Sequence, residues 1–453
     1  MNRLRLGWLA LISAAWIGDA GIARAAEDTM YDGKTASAWA DIYRTNVTSR
    51  DQALTVLQTI PYVDLEPSCY KFFGLLTDKD PEKVKLGLEY IKLCKRGALR
   101  HFDYPLSKWA YHVPWRVMLA NLYGSLGTEG LFDLSIPDRL LKDASPEVRK
   151  ATISALLAVV PTDPKDVPAD APKDWQDQAR KVLTLTFTDK ETWEIRALAL
   201  QTIGTLKFPV RDVLPELERC LKHKEWPVRN AAAKAIGDLG PPARAALPAL
   251  TKIVEDTNEA TPVAKSALAA IAAMGPKDAL PFLIKTANGA GYFELRIESV
   301  RLLGTQGAPA QAALPTIGNY VRDPDWKMRV AAVQALGGLG TVAASQVATV
   351  TQALADPAWH VRAAALDAVV KLGDKTYGQS VNAVIQLLAD KEWNVRGLAA
   401  DTLSKMGTVA KTVAFNPLVA MARDMKEVPL NRDKAVMALK LLDPTAAFQA
   451  GFP

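Results

Sequence analysis

Cysteine and histidine are scarce in this chain, with three Cys and four His in 453 residues. Cys69, Cys94 and Cys220 match no zinc spacing and allow at most one disulfide, which excludes a zinc module and a disulfide-built scaffold. Cys69 and Cys94 fall on successive predicted helices of one pair, where a bridge is geometrically conceivable. The plainer expectation is that they are small buried apolar residues and that Cys220 stays reduced. The sequence also lacks a nucleophile elbow, a phosphate loop, a dinucleotide fingerprint and a carboxylate pair with a cleft to sit in. One-sided charge is missing too: the formal net charge is only +6.

Long apolar runs are missing except at the N-terminus. Arg3 and Arg5 precede an apolar run from Leu6 to Ile17, and Ala23-Arg24-Ala25 has the small-x-small form of a cleavage site. The run is short of the ~20 apolar residues that span a bilayer. Residues 1–25 therefore read as a cleaved signal peptide, and the mature chain is expected in the periplasm or outside the cell. Their removal takes Arg3, Arg5, Arg24 and Asp19 and lowers the charge to +4. No later segment reads as a membrane span.

What the sequence does have is a repeat. A pattern Trp-x-Val-Arg-x-Ala-Ala-x-x-Ala-Leu-Gly recurs about every 33 residues, with copies beginning at Trp193, Trp226, Phe293, Trp326, Trp359 and Trp393. The Arg column falls at Arg50, Lys85, Arg116, Arg149, Arg196, Arg229, Ala264, Arg296, Arg329, Arg362, Arg396 and Arg432. Its steps are 35, 31, 33, 47, 33, 35, 32, 33, 33, 34 and 36 residues. A fixed period of this size marks a stacked helical array, whose members cannot bury their apolar faces alone.

Each copy reads as helix, turn, helix. In the copy at Trp359, Asp356 serves as N-cap and Pro357 as first helical residue. Val361, Ala364, Ala365, Ala368, Val369 and Leu372 then form one apolar stripe at the helical period, which Gly373 ends. The preceding helix of a pair opens at Leu247-Pro248 or Leu314-Pro315. Alanine on the packed stripe lets helix axes approach to roughly 8 Å.

The Asp-Pro-x-Trp-x-Val-Arg-x-Ala-Ala-x-x-Ala-Leu-Gly pattern resembles HEAT repeats, specifically the bacterial subtype named after phycobilisome lyases. The resemblance runs from about Ser145 to Met406. It implies an all-α fold, a right-handed α-α superhelix, with divergent repeats over 26–130 and the HEAT solenoid over 131–453. It also implies a ladder between neighbouring repeats, built from Asp323, Asp356, Asp390, Arg329, Arg362 and Arg396, with Arg196, Arg229 and Arg296 in the same column. Ala264 replaces the Arg once, so a gap is expected there.

In that family the second helix of each pair lines the concave face. Its outward positions hold Ala269 and Ala273, Arg301 and Thr305, Gln334 and Gly338 in the middle of the array. Flanking pairs such as Lys234 and Asp238, Asp367 and Lys371, and Asp401 and Lys405 are opposite charges one turn apart. No basic track for phosphates exists along this row, so nucleic acid is not an expected ligand. The row of small residues around Arg301 is the expected contact surface for another protein or peptide.

Three further features bear on function. The Trp column follows the repeat period, so each ring is expected to plug the turn between paired helices. His101-Phe102-Asp103-Tyr104, continuing through Trp109, Tyr111, His112 and Trp115, is aromatic-dense and could line a ligand pocket or hold a metal through His101, Asp103 and His112. Residues 161–174, rich in Pro and Asp, lengthen one repeat step and read as an extended insertion. The reading these support is an exported, monomeric, non-enzymatic protein-binding scaffold with no cofactor and no metal. The alternatives are a chromophore lyase-like enzyme and a periplasmic ligand-binding accessory protein.

Overall fold

The computed structural model describes residues 29–108, 112–188, 191–289 and 291–452. The expected signal peptide, and Trp109 and Tyr111 of the aromatic segment, lie outside the described residues. Among the described residues the fold is all-α apart from one short antiparallel pair, β1 (Met30–Tyr31) with β2 (Lys34–Thr35). Contacts divide the chain into two units, the first ending at Val213 and the second beginning at Leu214.

The first unit contains α1 (Ala36–Thr45), α2 (Arg50–Leu57), α3 (Tyr62–Phe73), α4 (Pro81–Leu93), α5 (Asp103–Lys108), α6 (Val113–Ser125), α7 (Ser135–Leu141), α8 (Pro146–Val159), α9 (Trp175–Thr184) and α10 (Trp193–Leu206). The division falls in the first turn of α11 (Val210–Cys220). The second unit continues with α12 (Trp226–Leu239), α13 (Leu247–Glu255), α14 (Thr261–Ala273), α15 (Pro276–Asn288), α16 (Phe293–Leu303), α17 (Leu314–Tyr320) and α18 (Trp326–Leu339). It closes with α19 (Val347–Ala353), α20 (Trp359–Leu372), α21 (Tyr377–Gln386), α22 (Trp393–Lys405), α23 (Thr408–Arg423), α24 (Pro429–Leu442) and α25 (Pro444–Gln449).

The apolar stripe of the repeat is the core. Val228, Ala231, Ala232, Ala235, Ile236 and Leu239 of α12 are buried, as are Met328, Ala331, Ala332, Ala335, Leu336 and Leu339 of α18. Second helices pack on each other through their smallest residues. A methyl group placed on Gly304, the C-cap of α16, would lie 2.6 Å from the Ala335 Cα of α18, and one on Gly337 of α18 would lie 3.1 Å from the Ala368 Cα of α20. Backbone-to-backbone contact of this kind sets the interaxial distance at its lower limit.

Turn chemistry differs from the sequence expectation at the helix starts. Helix α20 begins at Trp359, not at Pro357, and the Asp356 carboxylate accepts from the Ala358 N–H at 2.8 Å. Asp356 thus closes the turn before the helix, and Pro357 lies within that turn. Gly373 ends α20 at a φ of 96°, a conformation that a residue with a side chain rarely adopts. The stretch Trp326–Ala353 is long and apolar enough to cross a bilayer, contrary to the expectation for residues after the leader. Here it is α18 and α19, separated by a 3₁₀ turn at Gly340–Gln346, and half of its apolar window is buried in the repeat.

Candidate functional site

The Arg column builds the polar spine of the second unit. Arg329 Nη1 donates to the Asp323 and Pro324 carbonyls at 2.9 and 3.0 Å, closing the turn that leads into its own helix. Its Nε and Nη2 form a fork on Asp356 of the next repeat at 2.7 and 2.9 Å. Arg362 repeats this with Asp356 and Pro357 carbonyls behind it and the Asp390 carboxylate ahead, both fork distances 2.6 Å. Arg229 reaches Glu259 at 2.8 and 2.6 Å, and Arg396 reaches Glu427 at 2.5 and 2.9 Å. In the first unit Arg116 forks onto Asp143 and Arg149 onto Glu191. The planar guanidinium suits this bidentate geometry as an ammonium cannot.

Several column members stand apart. Arg296 donates to the Ala287 carbonyl at 3.1 Å and lies over the Tyr320 ring, and it meets no carboxylate among the described residues. Asp323, expected as a ladder acid, accepts instead from the Asp325 N–H within its own turn. Arg196 is buried, donates to the Thr188 carbonyl and likewise meets no carboxylate among the described residues. Ala264 leaves its position apolar and buried.

Sequence reasoning missed the glutamate acceptors Glu191, Glu259 and Glu427. Each sits one place nearer the next column residue than the aspartates do. Each ends a turn, as the aspartates do: Glu191, Glu259 and Glu427 donate their N–H groups to the carbonyls of Thr188, Asp256 and Asp424 at 3.0, 3.2 and 3.1 Å. The signal in the sequence is the step length. Glutamate accepts where the step is 47, 35 or 36 residues, and aspartate where it is 33 or 34.

The forks hold these acids ionised. Burial pushes the Asp390 carboxyl up, but the Arg362 fork and the Glu392 N–H outweigh it and leave it below its ordinary value. Glu427 is lowered in the same way against its own burial, by Arg396, Asn431 and the Val428 N–H. Hydrogen bonding to Asp356 and to Glu427 raises Arg329 and Arg396 respectively. The carboxylates of Asp390 and Glu427 are thus engaged in holding repeats together.

The candidate contact row is exposed throughout: Ala269, Ala273, Arg301, Thr305, Gln334 and Gly338 all face outward on α14, α16 and α18. The structure brings three of them together. Ala269, Ala273 and Thr305 line an open depression of about 410 Å³ floored by Ala272, Leu302 and Pro276. Arg301 belongs to a neighbouring depression of about 310 Å³ with Lys265, Glu298 and Trp326, and stands 3.8 Å from Glu298. Gln334 and Gly338 line neither depression. A methyl group on Gly338 would also lie 2.7 Å from the Gly304 carbonyl oxygen, so this glycine serves helix packing. Of the flanking charges, Asp367 pairs with Lys371 at 2.7 Å, whereas Asp401 turns to Lys434 of α24 at 2.6 Å.

The tryptophans do not plug turns. Trp193, Trp226, Trp326 and Trp393 are 38–51% exposed. Each is the first residue of its helix, and side chains on helices lean toward the N-terminus, which carries these rings past the helix end. His360 is sandwiched between Trp326 and Trp359, with ring centroids 4.4 and 3.7 Å away.

Phe102 of the aromatic N-terminal segment is core. Phe102 is buried edge-on against Phe73 at 5.4 Å and Tyr123 at 6.2 Å. Asp103 is taken by Arg139, and the His112 ring lies tilted against Trp115. Among the described residues no group of three or more His, Cys, Asp or Glu side chains converges to hold a metal ion. The insertion contains one 3₁₀ turn, Pro164–Asp166, where an extended strand of prolines was expected. It is pinned through Asp170 to Arg96 at 2.6 Å, and Arg96 itself packs over Phe132 and pairs with Glu129.

Comparison with known proteins gives one family and one fold. No curated protein sequence matches this chain. Solved structures similar to it include the Kap95:Nup1 complex, at 12% identity and a TM-score of 0.60 over 92% of this chain and 65% of that one. Kap95p with RanGDP gives 12% identity and 0.61 over 100% and 68%, and Kap121p bound to RanGTP gives 13% and 0.52 over 92% and 50%. The chain therefore spans less than two thirds of the first of these proteins and half of the last, and the likeness is one of fold: an all-α helical solenoid. A profile of HEAT repeats matches residues 181–262, 280–349 and 347–440, which is more than half of the chain. With its helix pairs and Arg column in place, this chain belongs to the HEAT-repeat family.

Proposed function

We propose that this chain is a non-enzymatic scaffold that binds another protein or peptide along the outward row of α14, α16 and α18. The observation that carries the proposal is the depression shared by Ala269, Ala273 and Thr305. Small exposed side chains let a partner's backbone or helix come close, and the Arg301 guanidinium at the edge can fix its orientation by paired hydrogen bonds. The solenoids that resemble this chain are solved with protein partners, Nup1 or Ran according to the complex. The repeat pattern supports membership of the bacterial phycobilisome-lyase-like HEAT subtype. Its action is binding rather than catalysis, because the buried acids of the ladder are engaged by Arg forks and backbone N–H groups.

The same proposal places the mature chain, as a monomer, outside the cytoplasm, on the strength of Arg3, Arg5, the apolar run and Ala23-Arg24-Ala25. Protein sequencing of the mature chain should begin near Ala26, and an intact Met1 in a cytoplasmic pool overturns that part. For the binding surface, a photo-crosslinking residue is placed at Thr305 or, as a control, at the exposed Lys252 of α13. In the native envelope fraction Thr305 should give a discrete protein adduct that Ala273→Arg removes, and Lys252 none. An adduct unaffected by Ala273→Arg, or equal adducts at both positions, places the surface elsewhere. A bound pigment or other small ligand in the purified chain overturns the scaffold reading.

A further inference from the structure

The N-terminal helices α1 to α4 have little of the ladder that ties later repeats together. The column positions there are Arg50, which donates to the Tyr43 carbonyl at 3.1 Å, and the exposed Lys85. In their place the interface between α3 and α4 is held by an aromatic and sulfur cluster. Phe72 stacks on Tyr90 at 3.8 Å, and the Tyr90 hydroxyl donates to the Leu65 carbonyl at 3.2 Å. Cys94, the residue that caps α4, places its Sγ 3.8 Å from the same carbonyl. Leu65 lies one helical turn before Cys69, and a helical side chain leans back over the turn before it, so both sulfurs gather at this carbonyl. Both cysteines are fully buried.

We propose that Cys69 and Cys94 form a structural disulfide when the chain folds in an oxidising environment, locking α3 to the end of α4. The pair α3 and α4 lies near the N-terminal end of the stack, with only α1 and α2 before it, and members near the end of a stack open more readily than its middle. A covalent link there constrains the unfolded ensemble at the place where the fork network is thinnest. The chemistry is thiol–disulfide exchange with a small disulfide such as oxidised glutathione. One cysteine thiolate attacks the oxidant's sulfur and expels a thiolate, leaving a mixed disulfide. The second cysteine thiolate attacks the protein-side sulfur, forms the Cys69–Cys94 bond and expels the second thiolate. Two electrons pass to the oxidant, and the two cysteine protons end on the two released thiols. Burial pushes the Cys69 thiol well above its ordinary range, which keeps it inert in the folded chain. The bond therefore closes during folding, before the cluster is sealed.

The full chain is unfolded and reduced, then refolded in a glutathione redox buffer, acid-quenched, and alkylated in denaturant. Intact mass should show one alkylated thiol per chain, and peptide mapping should assign it to Cys220 and recover a Cys69–Cys94 cross-linked peptide. Three alkylated thiols, or a bridge that includes Cys220, overturn the proposal. A second measurement stands apart from mapping. Reductant should lower the thermal midpoint of the wild-type chain and leave Cys94→Ala unchanged. An equal response in both chains shows that no bridge holds the pair.

Discussion

Arg362 shows why the column needs arginine and not merely a cation. It is almost fully buried, and its guanidinium serves two carbonyls behind and a carboxylate ahead at once. Removing it leaves Asp390 buried with its charge uncompensated, so Arg362→Ala should cost about 3–5 kcal/mol in chemical denaturation. Arg362→Lys should recover only a minor part, since one ammonium cannot span both sets of acceptors. Lys265→Ala, beside the position where Ala264 replaces the column arginine, should cost less than ~0.5 kcal/mol. Equal losses at the two sites would show that the forks carry no stability. The same forks set the acid limit. Asp390 and Glu427 are held below their ordinary values of 3.8 and 4.5 in the folded chain. A lowered carboxyl contributes stability that is complete above the unfolded value and lost as pH falls through the folded one. The melting midpoint should therefore stay level down to about pH 5 and fall steeply below about pH 4, and Asp390→Asn should flatten part of that fall. The arginines were legible in the sequence because they share one offset. Their glutamate partners were not, because those sit at a second offset that only the turn geometry explains.

At the scale of the element, the contact between second helices is set by glycine and alanine. Gly304→Ala would put a methyl group 2.6 Å from the Ala335 Cα and 2.9 Å from its carbonyl oxygen, and backbone cannot yield as a flexible side chain can. We expect a loss of about 1–3 kcal/mol, read from the denaturation midpoint. Gly74→Ala is the matched control. Gly74 has helical dihedrals and open space around its Cα, so alanine there should be neutral or slightly stabilising. A Gly304→Ala chain as stable as wild type would mean that the helices can separate at no cost. The helices themselves were legible from the 3.6-residue stripe, since burial follows Val361, Ala365, Ala368, Val369 and Leu372 down α20. Their first residues were not. Asp-Pro looks like a cap and first turn, yet the Arg329 fork draws Asp356 into the preceding turn, and the helix starts later at Trp359. That shift also leaves Trp359 and its counterparts at helix tips, which periodicity alone could not reveal.

For the whole molecule, an array held by nearest-neighbour contacts should retain structure when shortened at a unit boundary. A fragment from Phe208 to Pro453 keeps α11 and every later repeat, and it should melt cooperatively with a helical circular dichroism spectrum. A molten, non-cooperative trace would show that the second unit does not fold by itself. The alternation of acids in the ladder has a wider consequence. Where the repeat step is longer, a glutamate one place nearer the next column residue makes the fork that an aspartate makes in the shorter form. A change in the length of these connections is therefore matched by a change of one methylene in the acid that accepts the fork. Evolution can lengthen a single loop of such a protein, and so reshape one edge of it, without renegotiating the rest of the stack.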